Sequence, residues 1–171
     1  MFGKRSKKSE KILILGLGGV GYYLAKRLVH EGYQVTAIEA NRQLVRQADG
    51  DMDARLIQGN AMSIACWKDA DADQMDCLIA VTDNDAVNML AAMIADRFGI
   101  SRKISRVRSQ EFDSANAVLS TADLKIDLSI HPEELTAQEI VRLIKLRAGN
   151  DIIDIGQGQI QLLATRIQES S

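Results

Sequence analysis

Short apolar runs alternate along this chain with stretches of helical periodicity. The runs Lys11 to Leu15, Gln34 to Ile38, Arg55 to Gln58, Asp76 to Val81, Lys103 to Arg108 and Lys125 to Ile130 read as strands, since each is too short for a helix and is bounded by polar or turn-forming residues. Between the first two, Tyr22, Leu24, Ala25, Leu28 and Val29 recur at helical spacing and stop near Gly32. A short helix is predicted over Ser63 to Lys68, a longer one through Asn88, Leu90, Ala91, Ile94 and Ala95 to Gly99, and another over Glu111 to Ser120. This alternation predicts an α/β fold, a Rossmann-type doubly wound parallel sheet of about six strands, whose ligand crevice lies beyond the strands' C-terminal ends.

Pro132 suits the first turn of a further helix, with Glu133 and Glu134 complementing its dipole. Leu135, Ile140, Val141, Leu143, Ile144 and Leu146 make that helix apolar over a broad face. The face is expected either to dock on a partner subunit or to pack on its own sheet. Gly149 and Asn150 mark a break, after which Asp151 to Ile155, Gly156-Gln157-Gly158 and Gln159 to Ile167 predict a hairpin. Because an isolated hairpin is marginal in water, either the chain stops early in a second lobe or the hairpin pairs with another subunit.

Chemistry enters at Gly16-Leu17-Gly18-Gly19-Val20-Gly21, which directly follows the first strand and opens the first helix. In that context the first glycine permits a tight turn, the second lets backbone approach a pyrophosphate, and the third lets helix and strand pack closely. A phosphate there meets the free amides and positive dipole end of the helix. Glu39 ends the second strand, where a carboxylate can accept hydrogen bonds from ribose hydroxyls and repels a 2′-phosphate. With Glu39, its neighbour Ala40 joins the candidate binding set. The Gly59-Asn60-Ala61 turn and Thr82-Asp83 fall at the ends of the third and fourth strands, so four segments converge on one crevice.

The chain holds 46% hydrophobic and 26% charged residues with a net charge of −2, which fits an ordinary globular protein and disfavours nucleic acid as a partner. Lys4, Arg5, Lys7 and Lys8 form a basic tail, expected to be solvated. No apolar run is long enough to cross a bilayer, and the chain is expected to be cytosolic. Cys66 and Cys77 have neither metal-ligand nor redox-motif spacing. The expected division is a flexible tail over 1–9, a Rossmann nucleotide-binding domain over 10–131, a linking or dimerisation helix over 132–148 and an incomplete lobe or hairpin over 149–171.

The glycine motif, Glu39, Gly59-Asn60-Ala61, Val81-Thr82-Asp83-Asn84-Asp85-Ala86-Val87-Asn88 and Ile130-His131-Pro132-Glu133-Glu134-Leu135 occur in order. On these residues the chain resembles the TrkA-like RCK/KTN nucleotide-binding domains of bacterial Trk potassium-uptake systems, over roughly residues 10 to 147. The resemblance implies that Gly16 to Val20 line the phosphates of NAD or NADH, or alternatively of ADP or ATP, and that Glu39 holds the adenosine ribose. It also implies that Thr82 and Asp83 line the crevice and that Arg106 reaches the nucleotide. Gly19 stands where some triphosphate-binding members carry arginine or another polar side chain, which favours a dinucleotide. The implied activity is regulatory rather than enzymatic: a homo-oligomer, dimer or higher ring, on the cytosolic face of a membrane potassium-translocating subunit, with no direct membrane insertion.

Two rivals share the fold. A dehydrogenase fragment would need a catalytic acid or base beside the nicotinamide, yet His30 reads as a helix C-terminal charge and His131 as a helix-entry residue. The same module also serves cation/proton antiporters. Asp69, Asp71, Asp73 and Asp76 cluster without the spacing of a calcium loop and read as a solvated acidic loop.

Overall fold

A computed structural model describes residues 9–112, 118–147, 150–155 and 160–165, and the chain divides into two compact units, Met1–Ile130 and His131–Ser171. In the first unit six strands, β1 (Lys11–Leu15), β2 (Gln34–Glu39), β3 (Arg55–Gln58), β4 (Cys77–Ala80), β5 (Arg102–Arg106) and β6 (Leu128–Ile130), form one sheet in the order β3-β2-β1-β4-β5-β6. Every pairing among them is parallel, with Leu15 of β1 opposite Ile38 on one side and Ala80 on the other. This is the doubly wound Rossmann order.

The apolar runs are continuous because both faces of the central strands are covered. Ile12, Ile14, Val35, Ala37, Cys77, Ile79 and Val81 pack on one side with α1 (Gly19–His30) and α2 (Arg42–Asp49). Leu13, Leu15, Ile38, Leu78 and Ala80 pack on the other with α3 (Ile64–Asp69) and α4 (Asp85–Phe98). Alternate residues of one strand thus serve opposite cores, as the two-residue strand period requires. Helix α4 lies close to the sheet through Ala91 and Ala95, while Ala92 packs with Val107, Leu124 and Ile126, all three alanines being fully buried, and Gly99 ends the helix in the left-handed region at φ +83°.

Four segments depart from the sequence reading. Helix α2 forms where no element is predicted: Asn41 caps it by accepting a hydrogen bond from the Gln43 amide at 2.8 Å, and Ala48 is its one fully buried side chain. Leu44 packs on the same core, but the helix is eight residues long and mostly polar, so its apolar face is short. Around the predicted helix Glu111 to Ser120, Gln110–Phe112 forms a single 3-10 turn and residues 118–119 a bend, while 113–117 lie outside the described residues. Strand β6 starts three residues late, because Lys125 sits at φ +61° in a turn closed by bonds from Leu124 and Lys125 amides to Ser120 and Ala122 carbonyls. Likewise β5 ends at Arg106 rather than Arg108.

The second unit contains α5 (Pro132–Arg147) and the antiparallel pair β7 (Asn150–Ile155) and β8 (Ile160–Thr165), with Asn150 opposite Thr165 and Ile155 opposite Ile160. The hairpin pairs as predicted; its Gly156-Gln157-Gly158 turn and the basic tail over 1–8 lie outside the described residues.

Candidate functional site

Where the strand order reverses between β1 and β4, a cavity of 550 Å³ opens at the C-terminal ends of the strands. Gly16, Gly18, Gly19 and Val20 line it from the first turn, Glu39 and Ala40 from the second strand end, Gly59, Asn60 and Ala61 from the third, Thr82 and Asp83 from the fourth, and Arg106 from the fifth. Of the candidate residues only Leu17 and Gly21 lie outside this lining. Both are buried, and both shape the loop from behind.

The glycines divide by role. Gly16 takes φ +91°, and a Cβ there would lie 3.1 Å from the backbone N and Cα of Thr82, so the first turn and the β4 end meet backbone to backbone. A Cβ at Gly21 would fall 1.9 Å from the Gly16 carbonyl oxygen, which makes this glycine a packing requirement. At Gly18 and Gly19, by contrast, a Cβ meets nothing within 4 Å: these two leave open space at the start of α1. No side chain caps that helix and its first turn holds no acid. Its free amides and positive dipole end therefore face the cavity with no acid of the helix's own against them.

Glu39 faces this loop across the crevice. Its Oε2 accepts the Leu17 amide proton at 2.6 Å and its Oε1 accepts that of Asn41 at 2.6 Å. The carboxylate thus ties the glycine loop to the start of α2. Two carboxylate oxygens offer about four acceptor positions, so roughly two remain for hydroxyl donors in the cavity.

The β4 side is equally well tied. Arg108 donates its amide and Nε protons to the Asp85 carboxylate at 2.8 and 3.0 Å, and its Nη2 donates to the Asp83 carbonyl at 2.6 Å. Burial pushes the Asp85 carboxyl up, but these bonds and the guanidinium charge outweigh it and hold the group below its ordinary value. On the β3 side the single tryptophan, Trp67, is fully buried and donates Nε1–H to the Ala61 carbonyl at 2.7 Å. A Cβ at Gly59 would lie 2.3 Å from Cys66 Sγ, so any larger residue in that turn requires the Cys66 side chain to move.

The crevice also uses Ile38, Asn41, Leu44, Val81, Asn84 and Val87, which the sequence reading did not place there. Asn41 and Leu44 depend on α2; Asn84 is the cap of α4, accepting the Val87 amide proton at 3.2 Å. Outside it, Asp71 pairs with Arg55, and Asp76 accepts the Lys11 amide proton at 2.8 Å. Cys77 is buried in the core away from the crevice, and burial, aided by Asp127 and Asp76, pushes its thiol up to about 11.

Residues 12–132 match the TrkA-N domain family. The chain is 32% identical over 158 residues to the Trk system potassium uptake protein TrkA of Vibrio alginolyticus, covering 91% of this chain and 34% of that protein. It is 31% identical over 159 residues to a TrkA homolog of Methanothermobacter thermautotrophicus, covering 93% and 71%. It therefore spans about a third of the Vibrio protein's length. Among solved structures, the TrkA-N domain of the Escherichia coli inner membrane protein ybaL superposes with a TM-score of 0.67 at 19% identity, covering 81% of this chain and 98% of that one. The GsuK channel bound to NAD gives 0.64 at 11%, covering 80% and 24%; at these identities the likeness concerns the fold alone. The family match and the two TrkA relatives bear on the sequence itself, and on them this chain belongs to the TrkA-N domain family.

Proposed function

We propose that the chain is the nucleotide-sensing part of a potassium-transport system, binding NAD or NADH in the crevice and so biasing a membrane potassium-translocating partner. The observation that carries this reading is the pairing of an uncapped helix N-terminus at Gly18 and Gly19 with the Glu39 carboxylate across one cavity. The first suits phosphate; the second suits ribose hydroxyls and disfavours a 2′-phosphate. A cavity of 550 Å³ lies within the ~300–1,000 Å³ usual for small-molecule sites. Open space at Gly19 suits a dinucleotide's second phosphate, with ADP and ATP as competitors.

The role proposed is binding: among the described residues that line the cavity, Glu39, Asp83 and Arg106 carry the ionisable side chains, and the carboxylate of Glu39 and the guanidinium of Arg106 suit ribose and phosphate oxygens. Relatives named for potassium uptake and a structural neighbour recorded with NAD support the same assignment. No helix among the described residues is long and apolar enough to cross a membrane, which suits a peripheral subunit on the cytosolic face. Leu135, Ile140, Val141, Leu143 and Ile144 of α5 are all exposed, a face suited to a second copy of the chain in a dimer or ring.

A ligand shifts a conformational equilibrium only through a difference in affinity between the two states; a hundredfold difference is about 2.7 kcal/mol. Calorimetric titration of the chain with NAD, NADH, ADP and ATP tests the reading. Saturable binding of NAD or NADH is expected, and a folded chain that binds none of the four nucleotides refutes it.

A further inference from the structure

Asn88 is fully buried on the face of α4 that also carries Ala91, Ala92 and Ala95. Asparagine is a poor helix residue and a costly one to bury, so its partners must account for it. They use its whole capacity. Nδ2 donates to the Thr82 carbonyl at 3.1 Å and to the Arg106 carbonyl at 2.9 Å. Oδ1 accepts the Thr82 amide proton at 3.0 Å and the Thr82 hydroxyl proton at 2.7 Å. A primary amide has two donor hydrogens and one oxygen with two lone pairs, and all four positions are filled.

Thr82 and Arg106 are crevice residues at the ends of neighbouring strands, β4 and β5. Asn88 grips the backbone of Thr82 on both sides and the backbone of Arg106 at its carbonyl. Thr82 in turn abuts Gly16, where a Cβ would come within 3.1 Å of it. A continuous line of contacts therefore runs from the glycine loop through Thr82 and Asn88 to Arg106, the two ends being opposite walls of one cavity.

We infer that Asn88 is a positioning residue that locks Thr82 and Arg106 into one unit, so that nucleotide contacts on the glycine-loop side and on the Arg106 side depend on each other. Neither a hydrophobic residue nor a shorter hydroxyl could bridge both carbonyls and the Thr82 amide. The inference rests on the nucleotide reading above, and its test separates the two.

The test is a double-mutant cycle on the full chain, titrated with NAD and with ADP: wild type, Asn88→Ser, Arg106→Gln and the double variant. Each single change is expected to weaken binding by roughly tenfold or more, the scale of one hydrogen bond to a charged group. The double variant is expected to bind no worse than Asn88→Ser alone, because Arg106 is no longer delivered to the ligand once Asn88 is gone. Losses that simply multiply overturn the inference. Should Asn88→Ser not fold, the cycle is run with Asn88→Asp, which has the same shape, against Arg106→Lys, which keeps the charge at 106, so that the charge on residue 88 meets the same partner charge in both backgrounds.

A readout without ligand covers the case in which no nucleotide binds. Thr82→Val removes the hydroxyl bond to Asn88 and is expected to shift the amide resonances of residues 105–108 in the wild-type background but not with Asn88→Ser. Shifts absent from wild type, or present in both backgrounds, overturn the role of Asn88 whatever becomes of the nucleotide reading.

Discussion

Replacing Glu39 by glutamine separates its bracing of the glycine loop from the ligand contact proposed for it. The carboxylate accepts the Leu17 and Asn41 amide protons, each at 2.6 Å. Glutamine has one acceptor oxygen and one NH₂, so one of those amides keeps its partner and the other faces a donor. Losing a hydrogen bond to a charged group costs about 1.5–3 kcal/mol. Glu39 is only half-buried, which places the expected loss near ~1.5 kcal/mol. At roughly 2–4 °C per kcal/mol for a chain of this size, the unfolding midpoint should fall by about 3–6 °C. Trp67, buried in the first unit and the chain's single tryptophan, reports that unit's unfolding by fluorescence alone. The same variant should bind NAD at least about tenfold more weakly, since both the ribose acceptor and the loop's brace are altered. An unchanged midpoint would show that the bond lost from Glu39 contributes nothing measurable to stability. Unchanged affinity in a folded variant would remove Glu39 from the ligand site, and the two outcomes are read separately.

Gly21→Ala should destabilise by roughly 1–3 kcal/mol, because its Cβ would lie 1.9 Å from the Gly16 carbonyl oxygen. Gly18→Ala, which meets nothing within 4 Å, should leave stability within about 0.5 kcal/mol yet weaken NAD binding by putting a methyl where phosphate would approach; urea unfolding and titration of both variants check the contrast. Cys77, with its thiol at about 11 and buried, should resist iodoacetamide at pH 8 until the chain is unfolded, and mass spectrometry of the labelled peptides would show otherwise. Asp85 has a lowered folded-state pKa, so its stabilising effect is complete above its ordinary value of 3.8 and is lost as pH falls through the lowered one. The stability gap between wild type and Asp85→Asn should accordingly narrow as the solution is acidified below about pH 4, and a gap that widens on acidification would refute the Arg108 pairing as its source.

Much of the site was legible in sequence because its residues sit at strand ends that apolar runs announce. Glu39 closes β2 and Thr82 lies two residues beyond β4, and the glycine loop is bounded by an unmistakable strand and helix. What escaped depends on side chains bonding across space. Leu44 reaches the cavity from α2 and Asn41 from its cap, on a short, mostly polar helix with only Leu44, Val45 and Ala48 for a stripe. Leu17 and Gly21 lie in the motif but serve the loop's own packing, a distinction that appears only in the 2.6 Å bond to Glu39 and the missing Cβ space at Gly21. The segment from 121 to 125 has the polarity of a strand approach, yet the Ser120–Lys125 turn bonds and the positive φ of Lys125 take it out of the sheet.

The two walls of the crevice are held by different means, and this bears on where a ligand can act. The glycine loop is fixed by steric necessity, Gly16 against Thr82 and Gly21 against Gly16, with the Glu39 carboxylate as a brace. Close-packed contacts of this kind have no second arrangement at low cost. The opposite wall is held by hydrogen bonds: Asn88 to Arg106, and Arg108 to Asp83 and Asp85. Hydrogen bonds can be exchanged for others at about 0.5–1.5 kcal/mol net each, less than the 2.7 kcal/mol that a hundredfold affinity difference requires. Two or three such exchanges on the Arg106 side therefore suffice for a ligand to favour one state, whereas the loop side would have to unpack. If a nucleotide biases this domain, the difference should arise at the joint between α4 and the end of β5.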